Sequence, residues 1–519
     1  MTDAPADVFS KAKDFVSGRG RPVVIAGAVL AVVVAVGAPS LFSGGGSSST
    51  TAQSTTGGGG TGRTTGTGPG TTSGSRAPSA SGRPTTAASG AARPQPGAGT
   101  TGGGSGVVSG GSTGGGSGST VVPAGANAGR DGRGVSASAV SIGVVYPKNS
   151  ASCVGALGVD TGGTNDGNPK GKAQAVVAYI NAHGGVAGRQ LKADYFANDC
   201  TQKNPSALQC THYSQDVTVF AVIETTSNEC LAKKGVVSFN YFLGASQAEY
   251  TQYADELYGT ADYNDDRNTK IYVTGFVKSG FAKVRPDRDP SLATVPLRVG
   301  VVTFEVNETL YKKQMDPLWK KFGVTGVQYC GVATDNSNIG TCVNKFKAAH
   351  VTHVLTPGYG PLLFMNSAQS QQYNPLYALS SFSQPNVHAQ LAPATQLHGA
   401  MDVGTSPSQD VRSQDAPALG HNEQICKKIA SDAGLSYDGQ MAGYCDALFA
   451  FQASLKGKPV VNLKALRTGY EGLGTWDSTV ALKSVMAPNR THDAGAGYKY
   501  AYYHEACTCF QYTGPTYTG

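Results

Sequence analysis

The chain has 519 residues, 70 of them glycine, with 41 Lys/Arg against 34 Asp/Glu. Ten Lys/Arg against four Asp/Glu fall in residues 1–133, which leaves 31 against 30 in the remainder, so the part able to fold is close to neutral. That balance, without a clustered basic run, excludes a nucleic-acid partner, and the aromatic and β-branched content after residue 135 excludes a wholly unstructured chain.

Residues 1–21 carry Lys11, Lys13, Arg19 and Arg21, and residues 22–42 then run without a charge after Arg21. The stretch is about the length that crosses a bilayer. The preceding cations predict a cytoplasmic tail, a single-pass anchor, and everything downstream outside the cytoplasm. Val36-Gly-Ala38 also reads as a small-residue cleavage site, the alternative being a secreted protein released from a signal peptide. Residues 43–134 are almost entirely Gly, Ser, Thr, Ala and Pro. They are expected to form a disordered tether spanning about 50 Å as a flexible coil. The remaining residues, 135–519, exceed one ordinary domain and suggest two lobes.

Val140–Tyr146 reads as a buried strand. Asn168-Pro169 then supplies a cap and a first-turn proline. Ala173, Val176, Val177 and Ile180 recur at helical spacing, and Gly184-Gly185 offer a positive-φ stop. Leu191–Ala197 is the next strand, so the three form a right-handed crossover unit of a parallel sheet. Further strands are expected at Val217–Ile223, Val236–Phe239, Ile271–Thr274, Arg298–Phe304 and Val351–Leu355. Helices are expected at Thr309–Phe322, Thr341–His350, Ala416–Ala433 and Gln440–Leu455. The alternation predicts an α/β fold with two doubly wound parallel-sheet lobes. The Pro- and Asp-rich stretch Arg285–Pro296 reads as the passage between them. The first lobe would take residues 135–290 with later returning segments, and the second residues 296–375 and 405–470.

All ten cysteines lie at or after Cys153, an even number in an exported domain, which predicts disulfides. Cys330/Cys342 and Cys426/Cys445 are local pairs. Cys153, Cys200, Cys210 and Cys230 allow three pairings, and Cys507 and Cys509 either pair with each other or with distant partners. No Cys-x-x-Cys pair and no helical His-x-x-x-His pair is present, so neither a metal nor another cofactor is expected. The Gly-x-Ser-x-Gly at Gly110–Gly114 falls in the low-complexity tether and carries no enzymatic reading.

Tyr179 to Leu191 reads YINAHGGVAGRQL. This segment resembles the signature after the first helix of type I periplasmic binding proteins, the leucine/isoleucine/valine-binding family. Leu243–Thr251, Pro357-Gly-Tyr-Gly-Pro361 and the strand Tyr498–Tyr503 match more loosely and in the right order, over roughly residues 138–512. The resemblance implies two lobes joined by a three-stranded hinge. It implies capture of a small polar ligand (an amino acid, amide or carboxylate) by cleft closure, and delivery to an ABC-type permease, without enzymatic activity. Two alternatives keep the same fold: a membrane-tethered sensor acting with a partner chain, and a cell-wall protein that binds no ligand.

In parallel sheets ligands sit beyond the carboxyl ends of the strands. After Ile223 come Thr225, Thr226 and Ser227, hydroxyls suited to an anion, which the resemblance places on the ligand's carboxylate. After Phe239 come Tyr241 as an apolar wall, with Ala245 and Ser246 matching the family's small-residue loop. Glu305 follows a second-lobe strand and suits an amine, while Tyr359 matches the aromatic that closes over the ligand. The family's acid for an ammonium group is missing from Ser380–Gln384, so the ligand need not be an α-amino acid.

Overall fold

The computed structural model describes residues 131–150, 167–333, 336–358, 361–488 and 490–519. The expected anchor at 22–42, most of the expected tether, Cys153 and Tyr359 lie outside the described residues. Among the described residues no helix is long and apolar enough to cross a membrane. Asp131 to Gly134, read above as the tether's end, are instead fixed to the domain. Arg189 pairs with Asp131 at 2.9 Å, Val461 N–H donates to the same carboxylate at 2.8 Å, and Arg133 donates to the Tyr213 carbonyl.

The first lobe begins with β1 (Ala139–Lys148), α1 (Pro169–Ala182) and β2 (Gln190–Asp199), β1 and β2 pairing in parallel. Asn168 caps α1 by accepting the Gly171 N–H at 3.0 Å, and Pro169 opens it. Ala173, Val176 and Ile180 are sealed against the sheet, and Gly184 and Gly185 stop the helix at φ 94 and 66. Next come α2 (Pro205–Thr211), β3 (Ala221–Ile223), α3 (Asn228–Ala232), β4 (Val237–Asn240), α4 (Gln247–Gln252) and β5 (Leu257–Gly259). They complete a parallel sheet ordered β2-β1-β3-β4-β5.

Residues 271–274, expected as a strand, lie in the middle of α5 (Asp265–Lys278). A short β-branched and aromatic run does not distinguish a strand from a helix buried on most of its circumference. The Asn264 cap, which accepts the Arg267 N–H, together with Asp265 and Asp266 in the first turn, settles it as helix. The helix packs so closely on a later strand that a Cβ at Gly275 would lie 2.8 Å from Val403. Its buried face joins Tyr263, Phe276 and Phe281 to Val299 and Val301 of the second lobe. The passage between lobes is therefore at residues 260–264, ahead of Arg285–Pro296.

The second lobe continues through β6 (Val299–Phe304), α6 (Glu305–Lys321), β7 (Gln328–Val332), α7 (Ile339–Ala348), β8 (His353–Leu355) and α8 (Leu362–Ser370). It then adds β9 (Leu376–Ser380), α9 (Pro385–Leu391), α10 (Ala394–Leu397), β10 (Met401–Gly404) and α11 (Pro407–Asp410). The chain returns to the first lobe as α12 (His421–Asp432), α13 (Gly439–Leu455) and α14 (Leu463–Glu471), whose apolar faces share one core with α1, β1, β3 and β4. This corrects the assignment of 405–470 to the second lobe: the apolar residues of these helices, which on α13 run round nearly every side, cover the first sheet. An antiparallel pair follows, β11 (Gly474–Trp476) and β12 (Ser484–Met486). The chain crosses a last time into β13 (Gly497–His504) and β14 (Cys509–Thr518). The second sheet is ordered β14-β13-β10-β9-β8-β6-β7, parallel from β7 to β10 and antiparallel beyond.

Three segments thus connect the lobes. Two are stitched together: Gly495 N–H donates to the Asp262 carbonyl at 2.7 Å, and Arg267 binds Asp493 at 2.6 Å. The disulfides Cys330–Cys342, Cys426–Cys445, Cys210–Cys230 and Cys507–Cys509 are formed. Cys200 is also disulfide-bonded.

Candidate ligand-binding cleft

The carboxyl ends of β3 and β4 face those of β9 and β10, and the lobes touch there. Phe242, after β4, meets Phe382, after β9, edge to face with ring centroids 4.5 Å apart. At the start of α13, a Cβ at Gly439 would lie 3.4 Å from Ser408 Oγ and 3.6 Å from Gln409 Nε2 of the second lobe.

On the first-lobe wall the loop after β3 opens with Glu224 in a left-handed conformation, φ 58, a strain that persists only where surroundings impose it. Its carboxylate accepts the Tyr241 N–H at 2.8 Å. Burial, opposed by that bond and reinforced by Asp446 and Asp262, pushes its pKa well above the carboxylate range.

The next three residues turn elsewhere. Thr225 Oγ1 donates to Gln209 Oε1 at 2.6 Å, Thr226 N–H donates to the same oxygen at 3.0 Å, and Ser227 Oγ donates to the Ser206 carbonyl at 2.5 Å. These groups hold the loop to α2. Tyr241 lays its ring over Gly443 of α13, where a Cβ would overlap the ring. Ala245 is buried beside Leu243 and Tyr250. Ser246 caps α4 in a reciprocal box, accepting the Glu249 N–H while donating its own N–H to Glu249 Oε2 at 2.8 Å. Glu305 is exposed as the first residue of α6, its backbone pressed against Gly331.

Near this contact Gln440, Ser408 and Gln409 are groups that no motif singled out, and Gln384 ends the segment found to lack the family's acid. Gln440 is 4% exposed and Gln384 3% exposed. Neither amide atom of Gln440 has a hydrogen-bond partner, and Gln409 Oε1, Ser408 Oγ, Gln384 Oε1 and Asn386 Oδ1 also lack one. The helices carrying Asn386 and Gln409, α9 and α11, pack on each other. Buried polar atoms are normally paired, so such a group marks a place that a polar ligand or ordered water completes. Lys172 is not free to bind an anion: it forms a buried ion pair with Asp438, which also caps α13 by accepting the Met441 N–H at 2.9 Å. Among the described residues no group of three His, Cys, Asp or Glu could hold a metal.

The amide cluster was missed because its members come from two lobes and are far apart in sequence. Asp438 followed by an apolar helix was the one local signal near Gln440.

No family model matches the chain, and no curated protein matches it in sequence. Solved structures do resemble it. The branched-chain amino acid transporter substrate-binding protein LivJ from Streptococcus pneumoniae, in complex with isoleucine, aligns with TM-score 0.51 and 13% identity over 73% of this chain and 100% of that one. The leucine-binding protein LivK from Thermotoga maritima gives 0.53 and 10% over 72% and 98%. A fatty acid ABC transporter substrate-binding protein from Thermomonospora curvata gives 0.51 and 12% over 75% and 95%. The two lobes and their three connections are thus the fold of type I periplasmic binding proteins.

Proposed function

We propose that the chain is an extracytoplasmic solute-binding protein, related to the leucine/isoleucine/valine-binding group, that captures a small polar ligand by closing its lobes. It hands that ligand to an ABC-type permease. The observation that carries this reading is the set of buried, unpartnered polar atoms of Gln440, Gln409 (Oε1) and Ser408 (Oγ), near where the strand ends of the two lobes meet. Hinged lobes of this kind close around ligands, and a site buried on closure carries a few placed polar groups that orient the ligand. The uncharged stretch at 22–42 would anchor the chain, and the Gly/Ser/Thr-rich segment after it would hold the lobes away from the membrane. The structural neighbours bind amino acids and a fatty acid by their names, which supports a binder over an enzyme.

The test is a thermal-shift screen of the purified chain against amino acids, amides, carboxylates, amines and sugars, followed by small-angle scattering with any hit. A saturable rise in melting temperature together with a smaller radius of gyration is expected. A folded, ligand-free chain that responds to no class would overturn the reading.

A further inference from the structure

Glu224 has one oxygen on the Tyr241 N–H and no hydrogen bond on the other among the described residues. Glu224 as a residue is half-buried, and its second oxygen is not one of the sealed, unpartnered polar atoms. The charged groups acting on it are Asp446 of α13 and Asp262 of the first crossing segment, both acids. Tyr241 and Tyr444 are the other titratable neighbours. Asp446 is held by Thr260, Thr479 and Trp476, and Asp262 by the Leu243 and Gly244 N–H groups. Among the described residues no member of this trio has a partner of opposite charge, and Asp262 Oδ1 also lacks a hydrogen bond. Asp262 and Asp446, however, are sealed in the core, while Glu224 is half-buried.

The second observation comes from α13. Gly443 lies under the Tyr241 ring, and Gln440, three residues earlier, shares that helix face. Gln440 is therefore one turn from the Tyr241 contact on that face, buried with both amide atoms unpartnered. Ser408 and Gln409 approach the same helix start from the second lobe. The groups that would grip a carboxylate are otherwise engaged: Thr225 and Ser227 donate to α2, and Lys172 is closed by Asp438.

We propose that Glu224 is the counter-ion for a cationic nitrogen of the captured solute, with Gln440, Gln409 and Ser408 hydrogen-bonding its polar remainder. The ligand class is a small amine, diamine or guanidine that needs no carboxylate. This rests on the solute-binding reading and narrows it. The acid that the family resemblance would put after β9 is replaced, in this chain, by one on the opposite lobe.

A carboxyl among other acids is disfavoured as an anion until a cation arrives. Binding then favours the ionised form of Glu224 and releases its proton, so affinity for the cation falls as the solution becomes more acidic.

The experiment uses the full chain and three probe sets: putrescine, agmatine and leucinamide as cations without a carboxylate, 4-methylpentanoate as an anion, and 4-methylpentanamide as a neutral amide. Titration calorimetry in buffers of different ionisation enthalpy reads affinity and proton release together. At least one cation should bind saturably and release up to about one proton. Glu224→Gln, which keeps an acceptor for Tyr241 N–H, should weaken it by about 30-fold or more and abolish the release. The ligand-free melting temperature of E224Q should be unchanged or higher, which separates lost binding from lost folding. Binding of only the anion or the neutral amide, or of a cation with unaltered affinity in E224Q, overturns the cation assignment and leaves the solute-binding reading standing. Binding of no probe, in a chain that also fails the broader ligand screen, removes both.

Discussion

Glu224 is one of several carboxyl groups that the fold holds in an acid-favouring state. Burial raises Asp262 to about 8, Asp265 and Asp410 to about 7, and Asp446 to about 6. Asp402 is raised by burial and by the charge of Asp410, both carboxyls abutting Gly404. In each case the folded chain binds a proton more tightly than the unfolded chain does. Each such acid therefore stabilises the fold below the unfolded carboxylate value, and the contribution is lost as pH rises through the folded value. Buried His353 and His388 act oppositely: held down to about 4, they cost stability as pH falls from about 6.5. Between pH 8.5 and 6.5 the acids act without that opposition. The melting temperature should rise as pH is lowered across this range, and Asp262→Asn should flatten the rise. A melting temperature that falls over the same range in the wild-type chain would show that these carboxyls are ionised without penalty. A steric prediction belongs here too. Gly443→Ala places a methyl into the Tyr241 ring and should cost about 1–3 kcal/mol, measured by urea denaturation.

Helix ends show how far local sequence reaches. Ser246→Ala removes a cap that bonds its own helix and should cost about 1 kcal/mol; Asn264→Ala should do the same for α5, both read from urea midpoints. If Ser246 instead touches ligand, S246A will lose affinity beyond what the destabilisation explains. Helix α1 was legible because Asn168, Pro169, Gly184 and Gly185 each act within a few residues of themselves. The parallel sheets were legible because continuous apolar runs followed by helix caps have few other solutions. Helix α5 reads as a strand at Ile271, Tyr272 and Val273, which carry strand propensity, although the cap at Asn264 is local; their burial comes from second-lobe residues such as Val299, Val301 and Met401. The site was legible by position and not by direction. Sequence placed Thr225 and Ser227 at a strand end, but Gln209 and Ser206, on another element, decide where their hydroxyls go. Nothing local in the sequence records the left-handed backbone of Glu224. Gly439, next to Gln440, and Ser408 become neighbours only when two lobes meet.

At the scale of the whole chain, the lobes are joined twice over: covalently by three crossing segments, and non-covalently where their strand ends touch. The crossing segments are anchored by buried groups such as Asp493, which binds Arg267 and accepts the Asn264 N–H at 2.8 Å. The lobes also touch through side chains across the cleft, among the described residues through Phe242 against Phe382. An edge-to-face pair contributes about 0.5–1.5 kcal/mol beyond the area it buries, enough to shift a two-state opening equilibrium by up to about tenfold. Phe382→Ala should therefore favour separated lobes in the ligand-free chain, seen as a larger radius of gyration by scattering, with little change in the urea midpoint of either core. Affinity for any ligand that closes the lobes should fall by a comparable factor, because closure would no longer regain that contact. An unchanged radius of gyration with an unchanged affinity would mean that Phe382 rests on Phe242 without biasing the lobes, and that closure is governed by the polar groups around Gln440 alone.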